Sequence, residues 1–163
     1  MKIKVKKGEG DKNLNILIGE LSQNLVSKVG WFPNLKYEDG SFVAAIAEQN
    51  EFGVSAKRIP PRPFMRPTIE QKSGSWREIA IKMAERVSKN KATVNDFFDV
   101  IGQQAAGDVR GTIKSIQTPP LSPFTIRARQ AKKSDKQTLG FLTKPLVDTG
   151  TMLNTVTNRV EKK

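Results

Sequence analysis

The chain has 163 residues, enough for one domain with a buried core. It contains no cysteine and no histidine. Disulfides, thiolate metal sites, Ser-His-Asp hydrolysis and histidine proton relays are therefore excluded. The formal net charge of +12 raises nucleic acid as a partner, and the apolar fraction of 37% is low. A compact domain has about 45–50% apolar residues with glycine counted. An arm or loop outside the core, or apolar surface shared between subunits, would account for the deficit.

In chain order, Ile3 and Val5 alternate with lysines and predict a short half-exposed strand, broken by Gly8 and Gly10. Asp11 or Asn13 is placed to cap a helix with apolar residues Leu14, Leu17, Ile18, Leu21 and Leu25. Val26 to Phe32 reads as a strand stopped by Pro33-Asn34, and Asp39-Gly40 as a turn. Ser41 is the candidate N-cap of a helix from Phe42 to Phe52, with Gly53 positioned to end it. Residues 54–67 are then expected to be extended or looped, forming an extended Pro/Arg arm, because each proline disfavours helix at the residue before it.

Two long helices follow. The first, from Thr68 to about Ser88, has a stripe of Ile69, Trp76, Ile79, Ala80, Met83 and Val87, with Gly74 as a possible interruption. Lys89-Asn90-Lys91 is a turn. Thr93 caps the second helix, with Asp96 completing a capping box and Phe97, Phe98, Ile101, Ala105, Val109, Ile113 and Ile116 as its stripe. The short connection predicts an antiparallel pair. Pro119-Pro120 ends this helix, and Ser122-Pro123 starts a short one through about Arg129. Residues 130–143 are polar and basic and read as a mobile loop. Thr151-Met152-Leu153 is one helical turn, and Thr155 to Glu161 a closing strand. The expected fold is α+β. A small antiparallel sheet of three or four strands carries four or five helices mainly on one face, in one domain spanning residues 1–163.

The chemistry-bearing patterns are weak. Asp96 and Asp99 near a helix start are explained by the macrodipole, and Gly8-x-Gly10 lacks the rest of a phosphate loop. No cofactor or metal is expected, and the chain does not read as an enzyme. Lys57-x-x-Pro60-x-x-Pro63 matches a basic-x-x-Pro-x-x-Pro ligand, a pattern that arises readily in any basic proline-rich loop. The competing reading is a stiff docking arm whose rigidity lowers the entropy cost of association. Its candidate interface residues are Phe52, Gly53, Arg58, Pro60, Pro61, Arg62, Pro63, Phe64, Met65 and Arg66. In that reading Arg58, Arg62 and Arg66 project outward, and Phe64 and Met65 anchor the arm to its own core or to a neighbour. The basic excess is concentrated at the C-terminal end in Arg127, Arg129, Lys132, Lys133 and Lys136, a solvated loop or a contact with an acidic partner or DNA. Asp148-Thr149-Gly150 has a sufficient structural explanation as a cap followed by a tight bend.

Four of these pieces occur in a familiar order. They are Glu51-Phe52-Gly53; Ile59-Pro60-Pro61-Arg62-Pro63-Phe64-Met65-Arg66-Pro67; Pro120-Leu121-Ser122-Pro123-Phe124-Thr125-Ile126; and Lys144-Pro145-Leu146-Val147-Asp148-Thr149-Gly150. Over roughly residues 28–161 the chain resembles the neck or tail-completion proteins of long-tailed bacteriophages. That group includes proteins similar to the minor tail protein Z of phage lambda and to the virion-morphogenesis protein of phage Mu. The stretch from Gln130 to Thr143 is longer and more basic than the usual pattern.

The resemblance implies a virion structural protein that joins tail to head. It implies a ring of identical subunits, a hexamer by expectation. Head–tail connector and tail terminator or tube proteins would be neighbours, with DNA passing through the channel. A tail terminator or another minor tail protein is the nearest alternative, and a DNA-binding module the alternative of another class. The N-terminus has no signal-peptide core and no 18-residue apolar run is present, so the expected location is the host cytoplasm and then the virion, with no membrane partner.

Overall fold

The computed structural model describes residues 19, 24–131 and 142–163. The elements are β1 (Leu25–Gly30), α1 (Val43–Phe52), a 3-10 turn (Ser55–Lys57), α2 (Met65–Ser88), α3 (Val94–Ser115), α4 (Pro123–Ala131), α5 (Thr151–Thr155) and β2 (Thr157–Lys162). The architecture is α+β, with a two-stranded antiparallel sheet and five helices among the described residues. The expected strand at Ile3–Val5 and the helix around Leu14–Leu21 lie outside those residues. Leu25, expected at that helix's end, opens β1 instead, and Trp31 and Phe32 fall beyond the strand.

β1 and β2 join the two ends of the described chain, with Ser27 opposite Val160 and Val29 opposite Asn158. The two-residue period divides the sheet into an inner and an outer face. Ser27 and Asn158 lie on the inner face, against Gly102 of α3, where an added Cβ would overlap both side chains. Asn158 Nδ2 also donates to Asp99 Oδ1 at 2.8 Å, tying β2 to the same helix. The outer face is polar: Lys28 pairs with Glu161 at 2.6 Å, and Arg159 stacks on Phe32 at 4.1 Å.

α3 is the central helix, packed on the sheet and on α2. Its start follows the sequence closely: Thr93 Oγ1 accepts the Asp96 N–H at 3.0 Å, and Asp96 Oδ2 accepts the Thr93 N–H at 2.9 Å. The α2–α3 pair is antiparallel, since Thr68 meets Thr112 at 2.6 Å and Trp76 Nε1 donates to Asp108 at 2.7 Å. Gly74 does not interrupt α2. No helix among the described residues is long and apolar enough to cross a membrane.

The core gathers Val43 and Ala47 of α1, Phe64, Val109 and Ile113 of α3, and a C-terminal group including Val147, Met152 and Val156. Phe64 is 1% exposed and meets the Trp31 ring edge-on at 5.6 Å. Trp31 in turn donates its indole N–H to the Met152 carbonyl at 2.8 Å, satisfying its polar end inside the core.

Candidate functional site

The proline-rich stretch is held against its own domain. Val54 and Ile59 exchange backbone hydrogen bonds of 2.9 and 3.1 Å, closing the first half into a tight turn. Gly53 makes this possible. Its φ of 74° and ψ of 168° suit glycine alone, and a Cβ there would come within 2.8 Å of the Pro61 nitrogen. The second half is pinned by the Arg62 N–H, which donates to the Asn50 carbonyl at 2.7 Å.

α2 begins at Met65, three residues earlier than its sequence pattern suggests, because its cap comes from another helix. Val43, Ala47 and Glu51 repeat every four residues and form the buried stripe of α1. At the last of these positions the Glu51 carboxylate receives the N–H groups of Phe64 at 2.6 Å, Met65 at 2.9 Å and Arg66 at 3.3 Å, and the Arg66 Nε at 3.0 Å. These are the orphan donors of a helix N-terminus, where negative charge is favoured. Burial pushes the Glu51 carboxyl up. The Met65 and Phe64 N–H groups, with Arg66, outweigh it and hold the group below its ordinary value.

Arg62 is the first correction to the sequence reading. Instead of projecting outward it is 5% exposed, and it donates from Nε to the Pro119 carbonyl at 2.6 Å and from Nη2 to the Pro120 carbonyl at 2.9 Å. Prolines leave a chain rich in carbonyl acceptors and poor in donors, and a guanidinium is donor only, so the two match. Phe64 likewise serves its own core, and its side chain is not available to a partner. Arg58, Pro61, Pro63 and Arg66 are exposed, and Gly53, Pro60 and Met65 are half-buried. Phe52 is 62% exposed beneath the Arg66 guanidinium, 5.1 Å from its ring centre.

Arg129 is the second correction. It belongs to the inner face of α4 and not to a solvated basic patch. Its guanidinium donates to the carbonyls of Lys144 at 2.8 Å, Val147 at 3.2 Å and Pro145 at 3.3 Å, and its Nε lies 3.4 Å from Asp148 Oδ1. Ser122 caps α4 as the sequence predicts, accepting the Thr125 N–H at 3.1 Å. Arg127 is exposed on the same helix. Lys132, Lys133 and Lys136 lie outside the described residues, and Gln130 and Ala131, expected in the loop, still belong to α4.

Three side chains therefore link all four sequence markers in order. Glu51 joins the first to the second, Arg62 the second to the third, and Arg129, three residues past the third marker on the helix it starts, ties that helix to the fourth. Beside the last link lies a cleft of about 240 Å³, whose polar wall includes Tyr37, Asp39, Asn50, Arg129, Asp148 and Thr149. Burial, followed by the charges of Asp148 and Asp39, raises the Tyr37 hydroxyl above its ordinary value. No group of three or more acidic, histidine or cysteine side chains suited to a metal occurs among the described residues. Comparison of the chain with protein-family models, curated proteins and solved structures finds no match.

Proposed function

We propose that the chain is a virion structural protein of a tailed bacteriophage, a neck or tail-completion subunit that joins tail to head as a closed ring of identical copies. The observation that carries this reading is the order of the four sequence markers, which resembles that of the neck proteins. Their linkage through Glu51, Arg62 and, from the helix that the third marker starts, Arg129 supports it, because these contacts make the four stretches one connected structural unit.

The physical role follows from the shape of the Pro/Arg segment. Its inward side chains fix it to the domain, while Phe52, Arg58, Pro61 and Pro63 stand on its outer side. A rigid, partly apolar edge loses little entropy on docking. Repeating one modest contact around a closed ring multiplies it into a stable joint.

The test is genetic. A phage lacking the chain is expected to accumulate DNA-filled heads and separate tails, and purified chain added to the lysate should restore joining. Infectious, fully joined particles made without it would overturn the proposal.

A further inference from the structure

The chain is strongly basic, yet its cleft presents carboxylates. Asp148 has a side chain 54% exposed at the cleft, with one oxygen turned to Arg129, and Asp39 adds a second negative charge to the wall. Hydroxyls of Thr149 and Thr151 flank them, and the floor includes Ile46, Leu146 and Met152. An apolar floor with acidic and hydroxyl walls matches an arginine side chain, whose methylenes lie on apolar surface while its fork meets a carboxylate.

The same chain carries a side chain of that kind in an unusual setting. Arg58 sits at the tip of the turn that follows the 3-10 segment, with φ 52° and ψ 35°. This left-handed backbone disfavours residues with a Cβ, and a glycine would be the ordinary choice. The turn is closed by the Val54–Ile59 bridge and by the Arg58 N–H donating to the Ser55 carbonyl at 3.0 Å. Its guanidinium is exposed and has no partner among the described residues. A strained, rigidly held and unpaired arginine is placed for a contact outside its own subunit.

We propose that the Lys57-Arg58 turn of one copy inserts Arg58 into the Asp148 cleft of the next, forming the repeating contact of the ring. Turn and cleft are different surfaces, so the contact is head-to-tail and each copy offers one of each. The inference builds on the proposed ring but not on its place in the particle. A chain that associates in this way yet is missing from virions would remove the neck assignment and leave the contact standing.

Sedimentation of the full chain at near-millimolar concentration and low salt provides the test. The wild type should form assemblies larger than dimers, weakened by salt. Arg58→Glu and Asp148→Asn should each lower the association constant by about tenfold or more while leaving the circular dichroism unchanged. Asp148→Asn is expected to fold because Arg129 keeps its three carbonyl acceptors. The decisive sample is an equimolar mixture of the two variants. One retains only a working cleft and the other only a working turn, so the mixture should stop at a one-to-one dimer. A monomeric wild type, wild-type assembly that ends at two, or variants that assemble normally would each overturn the contact. Methylguanidinium serves as a probe in parallel. If it shifts the Thr149 and Thr151 amide resonances while the wild type stays monomeric, the cleft takes a basic side chain from another protein, and the second-copy assignment fails.

Discussion

The Glu51 carboxylate lies 2.6 Å from the backbone nitrogen of Phe64, so one helix ends by capping the start of the next but one element along the chain. Together with the Val54–Ile59 bridge and the hydrogen bonds of Arg62, this carboxylate fixes how the proline-rich segment is held. It orients Phe64 into the core and turns Arg66 back over Phe52.

Because its folded-state pKa is depressed, Glu51 contributes stability that is present above its ordinary value of 4.5 and is lost as pH falls through the lower folded value. Glu51→Gln should reduce stability by about 2–3 kcal/mol at neutral pH, from the lost cap and charge-assisted hydrogen bonds. It should also flatten the acid side of the stability profile. Urea titrations of both proteins across that range check this, and parallel profiles would show that another carboxylate dominates.

Phe64→Ala should cost about 3–5 kcal/mol, since it removes a fully buried ring and its edge-on contact with Trp31. That is a large part of the stability of a domain this size. Thermal melts of the isolated subunit should show a much lower or absent transition. A melt close to wild type would return Phe64 to the role of an intersubunit anchor.

Arg129→Lys should leave the fold in place but loosen the segment it holds. A single ammonium cannot reproduce a fork that spans the Lys144, Pro145 and Val147 carbonyls. Hydrogen exchange at residues 144–150 should accelerate, with the α2–α3 pair unaffected. Unchanged exchange there would mean that the core contacts of Leu146 and Val147 suffice.

The Thr93 capping box, the Ser122-Pro123 start and the antiparallel long helices were legible because their signals are local, set by residues within one turn of the element. The inward roles of Arg62 and Arg129 were not, because a long basic side chain shows no periodicity of its own and its partners are carbonyls, which the sequence does not display. Glu51 was an intermediate case. It stands four residues beyond Ala47 and eight beyond Val43, and an acid on an otherwise apolar stripe signals a buried charge with a partner. The partner, thirteen residues on across three prolines, required the fold. The 3-10 turn was missed because proline density suggested extension, whereas Gly53 and the left-handed Arg58 let the chain fold back before the first proline.

Pro60, Pro61 and Pro63 are half-buried or exposed, and none supplies the hydrogen bonds that hold the segment. Replacing all three with serine should leave the subunit folded, at a cost of about 0.4–1 kcal/mol for each lost backbone restraint. Particle assembly should fall much further than stability. Electron microscopy of lysates compares joined with separate heads and tails, and wild-type joining by the triple variant would show that the stiffness of the segment is unimportant.

The central claim is that this chain is a component of the phage neck, and mass spectrometry of purified virions and of separated tails tests it most directly. The account predicts the chain in intact virions, at a copy number set by a closed ring. Absence of the chain from both particles would contradict it.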